Sequence, residues 1–245
     1  MNKSVLILGA KSDIAKELGK IFAKDGYDLY LAARNVNELD EYITDLKIKN
    51  NIQIQKIEFD ITKIETHTEI WENIKEKIFG VILAAGYLPN QKEAEKNWNI
   101  TLNTINVNYT GAVSFLNLVA NSFEERKSGF IIGISSVAGD RGRKDNYIYG
   151  STKAALTAYL SGLRARLFNS NVHVMTVKPG PVYTKMTEGL VLNPNITAIP
   201  EKVAKDIYGA YLNKKDVIYT PAFWYIIMFI TKHIPEFIFK KMTIR

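Results

Sequence analysis

Short apolar runs alternate with helix-like patterns along most of the chain, and this alternation constrains the fold more than any other feature. Strand candidates fall at 4–9, 27–33, 52–59, 79–84, 129–135, 171–177 and 216–220. Helix candidates fall between them at 13–25, 36–49, 63–77, 99–122, 147–168 and 200–212. Single strands separated by single helices give an α/β fold, a Rossmann-type doubly wound parallel sheet flanked by helices. At 245 residues the chain is long enough for one large domain with a well-buried core. The expected division is a catalytic domain over 1–220 and an apolar, basic helical tail over 221–245.

Ligands of such sheets bind beyond the carboxyl ends of the strands. Gly9, Asp60, Gly86, Ser136 and Pro179 each follow a strand candidate, so all five converge on one crevice. Cysteine is absent, which excludes disulfides and thiolate metal sites and fits a reducing cytoplasm. His67, His173 and His233 are far apart and read as structural or surface residues, leaving no metal site. The run after Lys3 is too short for the apolar region of a signal peptide and reads as a buried strand. The formal net charge is +7, yet the basic residues are dispersed and no recognition motif appears, so nucleic acid is not an expected partner.

Tyr149 and Lys153 stand at i and i+4 in a helix candidate and therefore share a face. A phenol titrates near pH ~10 and is a poor acid at neutral pH. A cation one turn away favours the phenolate, which fits the group for proton transfer. Ser136, thirteen residues before Tyr149, brings a hydroxyl that holds a carbonyl against the phenol. Helices carry Tyr-x-x-x-Lys by chance, so the surroundings decide its meaning.

Those surroundings are Gly9-Ala10-Lys11-Ser12-Asp13-Ile14-Ala15, Leu83-Ala84-Ala85-Gly86, Asn106-Val107-Asn108, Ile134-Ser135-Ser136, Tyr149 with Lys153, and Lys178-Pro179-Gly180. In this order and spacing the chain resembles the short-chain dehydrogenase/reductase family over roughly residues 4–212. The resemblance implies hydride transfer between a nicotinamide cofactor and a ketone or secondary alcohol. Tyr149 would be the general acid, Lys153 would lower its pKa and hold the nicotinamide ribose, Ser136 would bind the carbonyl, and Asn108 would hold a water leading to solvent. It also implies a cofactor site of Gly9, Lys11, Ser12, Asp13, Ile14, Arg34, Asp60, Ile61, Ala85, Gly86, Pro179, Gly180, Val182 and Thr184, together with Tyr149 and Lys153. Homodimers or homotetramers are expected by the same resemblance.

Two departures stand out. Only Gly9 remains of the three family glycines, and Asp13 replaces the second, where a carboxylate repels a pyrophosphate. Asp13 is expected to cap or flank the helix start, where negative charge is favoured, with its side chain turned from the ligand. After the second strand, Ala33-Arg34 offers a guanidinium and no carboxylate, which suits a 2′-phosphate and favours NADP(H) over NAD(H), with Lys11 adding charge.

The segment after Thr220 is greasy and basic. Its uninterrupted apolar stretch, Ala222 to Ile230, is nine residues, short of the ~20 that span a bilayer. Either residues 222–245 contact a membrane surface, with Lys232, Lys240, Lys241 and Arg245 on anionic head groups, or the tail packs on the substrate cleft or a partner subunit. With Ser136-Val137-Ala138-Gly139-Asp140-Arg141-Gly142-Arg143, the tail resembles the branch that reduces the 2-keto group of decaprenylphosphoryl-2-keto-pentose in cell-envelope glycan synthesis. Arg141, Arg143 and Lys144 then either meet a phosphodiester or form a solvated loop. That reading puts the enzyme at the inner face of the cytoplasmic membrane. The alternatives are a reductase of 3-oxoacyl, fatty or steroid ketones, and a non-catalytic NADP(H)-sensing protein.

Overall fold

The computed structural model describes residues 3–242. Seven strands, β1 (Ser4–Leu8), β2 (Asp28–Ala33), β3 (Ile54–Glu58), β4 (Ile78–Leu83), β5 (Gly129–Ile134), β6 (Val172–Pro179) and β7 (Val217–Thr220), form one sheet. The order is β3-β2-β1-β4-β5-β6-β7, and every neighbouring pair is parallel. The chain winds outward from β1 to β3, then crosses to β4 on the other side of β1. That reversal opens a crevice at the carboxyl ends of β1 and β4.

Side-chain alternation along β1 builds the two halves of the core. Val5 and Ile7 join Phe22, Leu39 and Ile207 on one face, under α1 (Asp13–Lys24), α2 (Asp40–Lys49) and α8 (Pro200–Leu212). Leu6 and Leu8 join Trp71, Phe115 and Leu160 on the other, under α3 (His67–Ile74), α6 (Gly111–Glu125) and α7 (Tyr147–Leu167). Burial on both faces explains why inner strands such as β1, β4 and β5 read as apolar runs, while the edge strands β3 and β7 are partly exposed.

The helix expected over 99–122 is divided. Asn90 caps a short α4 (Gln91–Lys96), accepting from the amides of Lys92 and Glu93, and Asn97 caps α5 (Trp98–Ile105). A π-turn over Asn106–Thr110 then joins α5 to α6. Single-turn widenings of this kind mark places where a helix bends to present a side chain, and this one contains Asn108.

Past β7 the tail forms α9 (Trp224–His233) and α10 (Glu236–Phe239). Trp224, Met228 and Thr231 lie at helical spacing and are buried, with Trp224 and Met228 packed on Val137. Tyr225, Ile226, Phe229 and Ile230 point the other way, each more than half exposed. Among the described residues no helix is long and apolar enough to cross a membrane. Arg245, expected in the basic cluster of the tail, lies outside the described residues.

Candidate active site

At the end of β1 the chain turns through Gly9 at φ +81, a left-handed conformation in which a Cβ would meet the Ala85 amide nitrogen at 2.5 Å. Glycine is thus required both by the turn and by the approach of the two strand ends. Ser12 is the helix cap, its Oγ accepting from the Ala15 amide at 3.2 Å. Asp13 is the first helical residue and flanks the cap instead of forming it. Its Oδ2 accepts from the Lys185 amide at 2.8 Å, so the carboxylate turns toward the loop that follows β6. Ile14 and Ala15 pack into the core under the turn.

Past β2, Arg34 is exposed, and the loop behind it is fixed by Glu58, whose carboxylate accepts from the amides of Asn35 and Val36 at 2.8 and 2.9 Å. Lys11, expected to add charge to this corner, has an acidic neighbour. Its ammonium lies 2.7 Å from Glu38 Oε2, so the nearest opposite charge takes it up and Arg34 stands as the cation of this corner. Burial works to raise the Asp60 carboxyl, but hydrogen bonds from Thr62 N and Oγ1 and the nearby Arg34 outweigh it and leave Asp60 below its usual value. Ile61 turns its side chain into the core, which leaves only its backbone on the crevice side.

The centre of the crevice is assembled by β5, α6 and α7. Ser136 Oγ accepts from the Ala138 amide at 3.1 Å, which caps the turn Val137–Gly139, and the serine lies close enough to the Tyr149 phenol to favour its ionised form. Lys153 is buried, with Nζ donating to the Ile134 carbonyl at 3.0 Å and lying 5.7 Å from the Tyr149 ring centroid. Asn108 is buried too. Its Oδ1 accepts from the Tyr87 amide at 2.7 Å, and its Nδ2 donates to the Tyr87 carbonyl at 2.8 Å and to Thr152 Oγ1 at 3.1 Å. Around Gly86 these groups meet: a Cβ there would sit 3.5 Å from Asn108 Oδ1, 3.5 Å from Lys153 Nζ and 3.6 Å from Met186 Cε. Ser135 faces away, bonded to the Lys153 carbonyl and Thr157.

The electrostatics differ from the simple expectation. Burial pushes the Tyr149 phenol up to about 12, against the smaller opposing influence of the neighbouring Ser136, and burial lowers Lys153 to about 8. Removal from water therefore outweighs the cation's pull on the phenol. At neutral pH the pair is a protonated phenol beside an ammonium held near its titration point.

The β6 end forms the remaining wall. Gly180 follows Pro179, and a Cβ on it would fall 2.0 Å from Trp224 Nε1, so the tail depends on glycine here. Val182 is buried and bridges to Ala198, while Thr184 caps the turn Lys185–Thr187. A network absent from the sequence reading lies behind Ser136: Lys178 Nζ and the Tyr219 hydroxyl both donate to the Asp140 carboxylate, at 2.5 and 2.6 Å. Arg141 is not a phosphodiester ligand. Its guanidinium donates to the carbonyls of Thr231 and Ile234 at 2.6 Å each and to Glu236 at 2.9 Å, and stacks 3.7 Å from the Phe239 ring. A cation at the carbonyl end of α9 satisfies acceptors the helix leaves unpaired. Arg143 is half-buried, with its Nε unbonded among the described residues.

The family model for short chain dehydrogenases matches residues 3–195. An uncharacterized oxidoreductase of Mycobacterium tuberculosis is 32% identical over 243 residues, covering 97% of this chain and 96% of its own. A short-chain dehydrogenase from Sphingobium yanoikuyae, solved in complex with NADPH, superposes with a TM-score of 0.83 at 23% identity, covering 96% of this chain and 97% of its own. The bulky-bulky ketone specific alcohol dehydrogenase from Comamonas testosteroni superposes with a TM-score of 0.81 at 22% identity, covering 96% of this chain and 95% of its own. The chain belongs to the short chain dehydrogenase family and is an oxidoreductase acting on a CH–OH/C=O pair.

Proposed function

We propose that the protein is an NADP(H)-dependent ketone reductase whose substrate is the 2-keto group of a polyprenyl-phosphate-linked sugar. The observation that carries the reductase reading is the meeting of Ser136 and the Tyr149 phenol beside buried Lys153, whose Nζ faces the open side of Gly86. The cofactor fits the residues present. Gly9 would leave backbone room at the α1 N-terminus for a pyrophosphate, Gly86 would leave room for a ribose beside Lys153, and exposed Arg34 would hold a 2′-phosphate. The NADPH held by the Sphingobium enzyme supports the same choice.

When bound, the nicotinamide supplies a hydride to the carbonyl carbon. Tyr149 gives its proton to the carbonyl oxygen as the C=O π bond is replaced by C–H and O–H. Ser136, whose hydroxyl lies beside the Tyr149 phenol, donates to the substrate oxygen and holds it against the phenol. The Lys153 ammonium stabilises the phenolate left behind, and Asn108 orders Tyr87 and α7 around it, with Oδ1 turned to the same spot as Lys153 Nζ for a bridging water.

The lipid-linked substrate is supported by the tail. The wall of the crevice, Val137 and Trp224, is continuous with an α9 whose outer face is apolar and flanked by Lys232, Lys240 and Lys241. Such a face suits the surface of an anionic membrane, where a polyprenyl chain resides. Arg143, whose Nε has no partner among the described residues, is then the cation for the phosphodiester. A ketone flanked by a ring and a lipid phosphate is also bulky on both sides, as the Comamonas enzyme's description has it for its own substrates.

Turnover is tested by NADPH oxidation with polyprenyl-phosphate 2-keto-pentose in anionic vesicles. Ending the chain at Thr220 is a poor control, because it strips Trp224 and Met228 from the core. Replacing Ile226, Phe229 and Ile230 together by Ser leaves the buried face intact. These three changes are expected to lower vesicle-substrate kcat/KM about tenfold and leave a water-soluble ketone unaffected. Turnover only of acyl or steroid ketones would keep the reductase and remove the sugar. Arg34→Asp is expected to shift the NADPH/NADH ratio of kcat/KM about 100-fold toward NADH, since a charge-assisted phosphate bond becomes a repulsion.

A further inference from the structure

Asp13 stands where the family keeps a glycine, and the bond it makes crosses from the cofactor turn to the far wall of the crevice. Its Oδ2 accepts from Lys185 N at 2.8 Å, joining the first residue of α1 to the first residue of the turn Lys185–Thr187. The turn is held rigid from within, because the Thr187 hydroxyl donates to the Val182 carbonyl at 2.6 Å and the Thr184 amide donates to Thr187 Oγ1 at 3.1 Å. The next residue, Met186, carries its methyl group over Gly86, to the spot shared with Lys153 and Asn108.

The rest of the loop is loosely held. A groove of about 870 Å³ separates Lys16, Lys20 and Tyr42 from Leu190, Val191 and Leu192. Val191 is fully exposed. Away from its base at Val182 and Ala198, the loop bonds to distant elements at two points among the described residues, the Asp13 carboxylate near its start and Trp224 Nε1, which donates to the Ile196 carbonyl at 3.1 Å near its end. Trp224 belongs to the tail, so among the described residues Asp13 is the side chain that bonds the loop to the cofactor turn.

We propose that Asp13 is a positioning residue, a latch that holds the Lys185–Thr187 turn down across the cofactor crevice and slows cofactor exchange. The family glycine cannot make this bond, and the carboxylate is neutralised in part by the amide it accepts. Repulsion of a pyrophosphate and latching of the loop predict opposite signs on its removal, so one experiment decides between them.

Lys185 is itself a tryptic site, which permits a readout without cofactor or turnover. The cofactor-free protein and its Asp13→Ala and Asp13→Asn variants are digested with limiting trypsin, and cleavage after Lys185 is timed by mass spectrometry. Asp13→Ala is expected to speed that cleavage about tenfold, the size of one charge-assisted hydrogen bond. Asp13→Asn keeps an acceptor oxygen and is expected to stay within about threefold of the parent. Unchanged cleavage in Asp13→Ala overturns the latch. The second arm rests on the NADP(H) reading and measures NADPH release by stopped-flow fluorescence. Asp13→Ala is expected to release about tenfold faster. Lys185→Pro, which deletes the donor at a turn position that accepts proline, is expected to match it, with no further effect in the double variant. Tighter or slower-releasing NADPH in Asp13→Ala would assign the carboxylate to repulsion and overturn the latch. Absence of NADPH binding in the parent protein would count against the cofactor reading, with the trypsin arm still deciding the latch.

Discussion

Tyr149→Phe is expected to lower ketone reduction about a thousandfold, within the range by which a positioned acid accelerates proton transfer. Folding and NADPH affinity should remain close to those of the parent. The phenol oxygen is the one atom removed, and its replacement ring fills the same half-buried space. Burial holds this phenol near 12, so it stays protonated throughout the neutral range and enters the reduction as an acid. The sign for stability follows. A folded value above the ordinary 10.0 means Tyr149 favours the folded state below about pH 10 and loses that contribution as pH rises toward 12. Tyr149→Phe should therefore resist unfolding better than the parent only above about pH 10. Steady-state kinetics, NADPH titration and thermal melts at pH 7 and 11 check the claim. A variant retaining more than a tenth of parental kcat would remove Tyr149 from the chemistry.

Lys153→Met is expected to abolish reduction and yet make the cofactor-free protein more stable. The ammonium is buried, bonded to one carbonyl, and depressed from 10.5 to about 8. That shift corresponds to a penalty of about 3 kcal/mol on holding the charge inside at neutral pH. A methionine of similar length relieves it, and about half of the penalty is expected to return as stability, a rise in Tm of several degrees. Both folded and unfolded lysine are protonated below about pH 8, so the advantage of Met is full there. It shrinks as the folded lysine deprotonates and is gone near 10.5. Parental turnover should fall over the same rise past pH 8, as the charge that supports the phenolate is lost. Melts and kcat profiles from pH 6 to 10 on both proteins are the measurement, and a destabilised Met variant at pH 7 would contradict it.

The sheet was legible because its inner strands are buried on both faces and appear as apolar runs, while the edge strands β3 and β7 are shorter in buried residues and were placed by the alternation with helices. The order of Gly9, Gly86, Ser136, Tyr149 and Lys153 was legible because each follows a strand end or shares a helix face. What sequence could not carry were partners distant along the chain. Arg141 looks like a loop cation until the carbonyl end of α9 is folded against it. Lys11 looks available until Glu38 is beside it. The helix expected over 99–122 gave no sign of its π-turn, because the bonds from Asn108 to Tyr87 and Thr152 are tertiary. Asn90 and Asn97 were signals for α4 and α5 that could have been read, since asparagine favours the residue before a helix. For Asp13 the sequence carried the departure from the family but not its partner.

The contacts of Arg141, Trp224 and Gly180 bear on how this protein can exchange parts with its relatives. Segment 221–242 reads as a separable appendage, yet Arg141 reaches into its carbonyls, Val137 fits beneath Trp224, and position 180 must lack a Cβ to admit that indole. A chimera that imports a relative's terminal helices without positions 137, 141 and 180 would inherit a wall that does not close behind Ser136. Recombination that swaps specificity between such enzymes must therefore move three stretches of chain as one unit, 137–141, position 180 and 221–242, with Arg141 and its Thr231 partner 90 residues apart.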